Sequence, residues 1–133
     1  MTKNARGTFD VTMVPRAPAD ETANPIGRMS LEKRFHGDLE ATSAGQMLAF
    51  RTEIPGSAGY VAMERVSGSL AGRAGTFVLQ HTGTMKRGEP SLEITIVPDS
   101  GTDQLAGLAG TMGIEVEGDQ HYYSLTYSLP GVS

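Results

Sequence analysis

Four ionisable side chains stand where strand alternation calls for apolar ones. Lys33 falls among Met29, Leu31 and Phe35, and Glu64 shares a face with Tyr60, Ala62 and Val66. His81 follows Phe77 and Leu79, and His121 opens the face of Tyr123, Leu125 and Tyr127. A charge left unpaired in apolar surroundings is costly, so each must pair, stay neutral, or meet a ligand or water. Burial beside a charged neighbour is also how a protein obtains an acid or base with a displaced pKa. The chemistry within reach is proton transfer by Glu64 or His81, or oriented recognition of a small molecule. Tyr60 and Tyr123 add a hydroxyl on an apolar ring to the candidate binding set of Lys33, Glu64, His81 and His121. The competing readings are structural, with Lys33 reaching out from a rim and Glu64 paired to Arg65 or Arg73. Val61 and Met63 make the opposite face of the Glu64 strand nearly as apolar. A register slip of one residue therefore turns Glu64 outward.

Other chemistries find little support. The chain has no Cys, which removes disulfides, thiolate metal sites and a Cys nucleophile. It has no G-x-S-x-G, P-loop, H-E-x-x-H or G-x-G-x-x-G. Gly107-x-x-Gly110-x-x-Gly113 lacks a following Lys and a helix, and reads as a packed corner. His36, His81 and His121 lie on separate strands, but alternation points His36 away from the other two, so no metal site and no cofactor are expected. Asp99, Ser100 and Asp103 fit the capping of a short turn better than a Ca²⁺ loop.

The elements that must position these residues are strands. Phe9, Val11 and Met13 alternate with Thr8, Asp10 and Thr12, and the proline-rich stretch 15–27 reads as a long exposed loop. A second strand covers about 28–36, and Gly37 bends the chain into a third that ends near Phe50 with a blurred pattern. Strands at about 59–67 and 73–82 flank a glycine-rich reversal, Gly68 to Gly75, and residues 84–90 connect to the next strand. Leu92, Ile94 and Ile96 mark a sixth strand, Met112, Ile114 and Val116 a seventh, and Tyr123 to Leu129 the last. Near residues 102–107 Leu105, Leu108 and Met112 fit helical spacing. Gly107, Gly110 and Gly113 would cost a helix about 3 kcal/mol together, so one short helical turn is expected there. Eight half-apolar strands leave two open edges unless the sheet closes. The expected fold is all-β, an eight-stranded antiparallel up-and-down barrel, with a two-sheet sandwich as the alternative.

Composition sets the outer bounds. A chain of 133 residues reads as a single domain able to bury a core without staples. Its net charge of -4 opposes general nucleic-acid binding, and no apolar run approaches the roughly 18 residues of a membrane helix. A cytoplasmic location is the default expectation.

Three segments carry a resemblance: G-S-L-A-G-R-A-G-T-F-V-L-Q-H-T-G (68–83), V-P-D-S-G-T-D-Q-L-A-G-L-A-G (97–110) and H-Y-Y-S-L-T-Y-S-L (121–129). They resemble a bacterial family of unknown function, small cytoplasmic proteins with an antiparallel barrel like that of allene oxide cyclase and, more distantly, avidin. The resemblance spans nearly the whole chain and implies the barrel. It implies no activity, since the family has none assigned. Allene oxide cyclase steers a ring closure mainly by shape, and no residue here matches its polar pocket groups.

Three functions are therefore expected to compete. The first is a barrel that binds an apolar small molecule in its lumen. The second is a cyclase- or isomerase-type enzyme using Glu64 or His81 for proton transfer. The third is a structural barrel with a solid core and a subunit interface, as in a homo-oligomer.

Overall fold

In the computed structural model, which describes residues 2–17 and 25–131, the chain forms eight strands and one short turn of 3-10 helix. The strands are β1 (Lys3–Arg16), β2 (Gly27–Gly37), β3 (Leu39–Arg51), β4 (Ala58–Leu70), β5 (Arg73–Lys86), β6 (Glu89–Ile96), β7 (Ala109–Glu117) and β8 (Gln120–Ser128). Each pairs antiparallel with the next, and β8 returns to pair with β1, from Lys3 opposite Tyr127 to Phe9 opposite His121. The sheet is closed, as the edge argument requires.

Alternation decides which residues are enclosed. Along β4 the buried positions are Ala62, Glu64, Val66 and Leu70, while Val61, Met63 and Arg65 are exposed. The register of Glu64 is thus inward, opposite Gly45 on β3 and Leu79 on β5. A side chain at position 45 would run into the backbone of Met63 and Glu64, so glycine there lets β3 and β4 approach beside the carboxylate.

Three boundaries differ from the sequence expectation. The reversal between β4 and β5 is only Ala71-Gly72, both at positive φ, while Gly68 and Gly75 pair with each other inside the ladder. Two positive-φ residues give the twist a two-residue hairpin needs. Residues 84–90 are mostly strand, joined by a second tight turn at Arg87-Gly88. Pro15 and Arg16 extend β1 and pair with Met29 and Arg28, so the expected long loop begins later, and residues 18–24 lie outside the described set.

The ladder between β6 and β7 is the weak seam. It holds two residue pairs, Ile94 with Met112 and Thr95 with Thr111. Residues 97–108 leave the barrel wall there and cover the edge of β5 instead. Gln104 Oε1, Thr102 Oγ1 and Ser100 Oγ accept the N–H groups of Ala74, Thr76 and Val78 at 2.8, 3.0 and 3.0 Å. The expected helical turn, Asp103–Leu105, lies in this segment. Its N-cap is Thr102, without a side-chain cap bond, so Asp99, Ser100 and Asp103 do not cap it as expected. Leu105 and Leu108 are buried from this segment and close one end of the barrel.

Candidate functional site

One end of the lumen is solid. Phe35, Leu39, Val66, Leu70, Phe77, Leu79 and Leu125 are all at 1% exposure or less, and they pack with Leu105 and Leu108. Tyr123 belongs to this end. The Leu39 N–H donates to its hydroxyl at 2.9 Å, and the hydroxyl donates to the His36 carbonyl at 3.0 Å. Its ring meets Phe35 edge-on at 5.6 Å. A side chain at Gly7 would collide with this hydroxyl and the His36 carbonyl, so the glycine keeps the anchor in place. Burial raises the Tyr123 pKa, and the hydroxyl stays protonated as a strut between strands. Tyr123 is therefore not brought to the cavity.

The other end is hollow. A cavity of 510 Å³ is walled by Val11, Leu31, Met47, Ala49, Ala62 and Ile114 among others, with Lys33, Tyr60, His81 and His121 at its polar points. Small inward residues, Ala49, Ala58, Ala62 and Gly83, leave this space. The Tyr60 ring lies across Gly83, where any side chain would strike it.

Between the two ends lies a buried polar cluster. Glu64, His81, Ser43 and Lys33 are 1%, 4%, 6% and 8% exposed. Glu64 Oε1 accepts from His81 Nε2 at 2.7 Å and from Lys33 Nζ at 3.0 Å, and Oε2 accepts from Ser43 Oγ at 2.5 Å. The Lys33 ammonium also stands over the rings of Phe9 and Phe35, at 5.1 and 5.9 Å from their centroids. Glu64 is thus paired with neither Arg65 nor Arg73, and Lys33 turns inward rather than reaching out of a rim.

Electrostatics fix the protonation pattern. Burial pushes the Glu64 pKa up, but the hydrogen bond from His81, the charge and hydrogen bond of Lys33 and the hydrogen bond from Ser43 outweigh it, and the net direction is down. Glu64 is therefore ionised at neutral pH. An ionised carboxylate only accepts, so His81 Nε2 must carry a proton, and in the neutral ring Nδ1 is left as an acceptor. Nδ1 has no hydrogen-bond partner among the described residues. It is not sealed either, because no enclosed side-chain nitrogen or oxygen there lacks a partner, and the ring lines the cavity. Burial, together with the Glu64 charge, raises the Tyr60 pKa, so its hydroxyl remains a donor.

The arrangement brings Lys33, Tyr60, His81 and His121 together at one cavity, with Glu64 behind them, bonded to Lys33 and His81. His121 is its outlying member, half-buried, with its ring tilted against that of Phe9 at a centroid distance of 5.1 Å. His36 faces outward beside Asp10 and Glu40. Ser43 was not among the expected residues. Its signal was the alternation Leu39, Ala41, Ser43, which places a hydroxyl third on an inward face.

Residues 5–127 match the family described as "Protein of unknown function (DUF3224)". The chain belongs to this family. A crystal structure of a DUF3224-family protein of unknown function from Shewanella oneidensis MR-1 is similar to it throughout. That structure shares 43% sequence identity and a TM-score of 0.93, over 99% of this chain and 100% of that one. No curated protein matches the chain. The DUF3224 family is thus where this barrel belongs, and the family supplies no activity. No helix among the described residues is long and apolar enough to cross a membrane.

Proposed function

We propose that the barrel holds a small, largely apolar molecule in its hollow half, oriented by His81, Lys33 and Tyr60. The observation that carries this reading is the 510 Å³ cavity with apolar walls and polar groups gathered at its floor. Its volume falls within the range of about 300–1,000 Å³ typical of small-ligand sites. A buried ion pair adds little net stability compared with apolar packing of the same volume. Retaining Lys33 and Glu64 at the floor therefore fits a recognition role better than a purely structural one. The negative net charge keeps nucleic acid outside this reading, and a cytoplasmic location is assumed with it. The outward cluster of Leu48, Phe50, Val61 and Met63 is where a homo-oligomer would self-associate.

The test is native mass spectrometry and thermal-shift screening against a panel of apolar compounds, with Ala62→Leu as the blocked cavity. Binding to the wild type that Ala62→Leu abolishes supports the reading. A wild type that retains no compound and shows no shift overturns it.

A second reading, proton-transfer catalysis of the isomerase or cyclase type, is favoured by the Glu64–His81 pair. A carboxylate holding one imidazole nitrogen while the other is left free beside an apolar-walled cavity is the arrangement of a general base. Glu64, with both oxygens occupied, is then a positioning residue, and His81 Nδ1 the proton acceptor. That reading fails if Glu64→Gln and His81→Ala both leave turnover of an identified substrate intact.

A further inference from the structure

The charge and the unfilled hydrogen-bond positions at the cavity floor narrow the occupant to one chemical class. This step rests on the binding reading above and names what binds. With Glu64 ionised and Lys33 protonated the buried cluster is neutral, and His81 adds no charge in its neutral form. Glu64 offers a ligand little, because it is buried behind the cavity lining and already accepts from His81, Lys33 and Ser43. The open positions are the His81 Nδ1 atom and the Lys33 ammonium protons that Glu64 does not use, one of three being spent. Both head groups bond the same Glu64 oxygen, so they are neighbours, and both residues line the cavity.

The candidates for this pair of positions differ in charge. An amine would place a second cation beside Lys33 with no free carboxylate to receive it. An alcohol has one oxygen, and its bonds to this floor are not charge-assisted on both sides. A carboxylate has two oxygens for two donors, provided that Nδ1 becomes a donor. Its negative charge alone would leave the buried cluster net anionic, which is costly. One proton taken onto the imidazole removes that excess and makes both contacts charge-assisted. The imidazolium would then lie between Glu64 on Nε2 and the ligand on Nδ1.

We propose that the occupant is an apolar monocarboxylic acid that binds with uptake of one proton from solvent, its carboxyl group set between His81 Nδ1 and the Lys33 ammonium. The proton balance is simple: the ionised acid, one solvated proton and the neutral imidazole give a complex one proton richer than the separate partners. Around the ring, β4 contributes Glu64 and Tyr60, β2 contributes Lys33 and β8 contributes His121. The inward residues of the other strands nearby are Phe9, Ser43, Ile94 and Ile114, none of which changes charge.

The experiment is isothermal titration calorimetry at pH 8 in buffers of different ionisation enthalpy, with decanoic acid, 1-decanol and decylamine as probes. Decanoic acid should bind with close to one proton taken up, and with such an uptake its affinity should fall about tenfold for each unit by which the pH is raised. The alcohol should bind more weakly with no proton change, and the amine weakest of all. Lengthening the acid by one methylene should tighten binding about fourfold, the value of burying that group. In His81→Gln, whose amide can still donate to Glu64, proton uptake should vanish and decanoic acid should lose at least about tenfold. Decanoic acid binding without proton uptake, or no tighter than 1-decanol, overturns the acid assignment while leaving the cavity reading intact. Proton uptake that persists in a folded His81→Gln assigns the proton elsewhere and also overturns it. If none of the three probes binds, both readings fall together. Should His81→Gln not fold, proton uptake by the wild type still decides.

Discussion

Along β4 and β5 the inward positions run through Val66, Leu70, Leu79 and Phe77 toward one end of the barrel, and through Ala62, Ala58, His81 and Gly83 toward the other. The backbone is the same ladder at both ends, with the same alternation and the same pairing. Larger side chains, together with Leu105 and Leu108 from the 97–108 segment, make one end a core, and small ones leave the other a cavity. The Lys33–Glu64–His81 cluster sits at the change-over, so the ionic groups lie against close packing on one side and open space on the other. This placement serves a polar floor: the packed side holds the groups in position, and the hollow side leaves their remaining hydrogen-bond capacity unused.

The two ends should differ most under truncation. Phe77→Ala in the solid end should cost about 3–5 kcal/mol, since the neighbours collapse only partly around the lost ring. Met47→Ala in the cavity wall should cost under about 1 kcal/mol, because that side chain already borders empty space. Urea unfolding of both variants measures the difference. Equal costs would mean that the hollow end is as tightly packed as the solid one.

The next effect concerns the boundary itself. Glu64→Gln keeps the shape but removes the counter-charge of Lys33 and should destabilise by about 3 kcal/mol, the lower part of the range for breaking a buried pair. Replacing both partners together, Lys33→Met with Glu64→Leu, should recover much of that loss. A double-mutant cycle in urea reads the coupling. Additive losses would show that the two groups do not depend on each other.

The two ends should also differ in how they take added volume. Ala41 lies in the solid end, against Gly68 of the neighbouring strand, whereas Ala62 lines the cavity. Ala41→Leu should cost about 1–3 kcal/mol through overpacking. Ala62→Leu should stay within about 1 kcal/mol of wild type, or gain, by filling space. Thermal unfolding of the pair checks the sign. A destabilised Ala62→Leu would indicate that the cavity has no room for the extra carbon atoms of a leucine side chain.

The sequence carried the barrel because alternation is periodic and closure follows from the edges. It also flagged the cluster, since Lys33, Glu64 and His81 each interrupt an apolar face. What it left open was depth along the barrel axis. Tyr123 and His121 share a face two residues apart, yet one is a strut in the solid end and the other borders the cavity. Alternation tells in from out, but strand stagger sets the level, and stagger is a property of eight strands together. The same limit left the Glu64 register undecided beside Val61 and Met63. Pairing with Gly45 resolves it, because only a residue without a side chain admits that close approach. Ser43 went unnoticed for a different reason: it interrupts its face with a small hydroxyl, which looks like ordinary surface until its neighbour is a buried carboxylate.

The smallest effect is a dependence on pH, and its sign discriminates between the two forces acting on Glu64. Burial favours the neutral acid, whereas His81, Lys33 and Ser43 favour the carboxylate, and the balance lies with the carboxylate. A group whose pKa is lower in the folded state contributes stability above its unfolded value, about 4.3, and loses it as pH falls through the folded value. The wild type should therefore lose stability relative to Glu64→Gln when urea unfolding is repeated at successively lower pH below about 4.3. A gap that widens on acidification would mean that burial prevails and the folded protein holds a neutral acid. In that case His81 would no longer be obliged to donate from Nε2, and the open acceptor at the cavity floor would lose its physical basis.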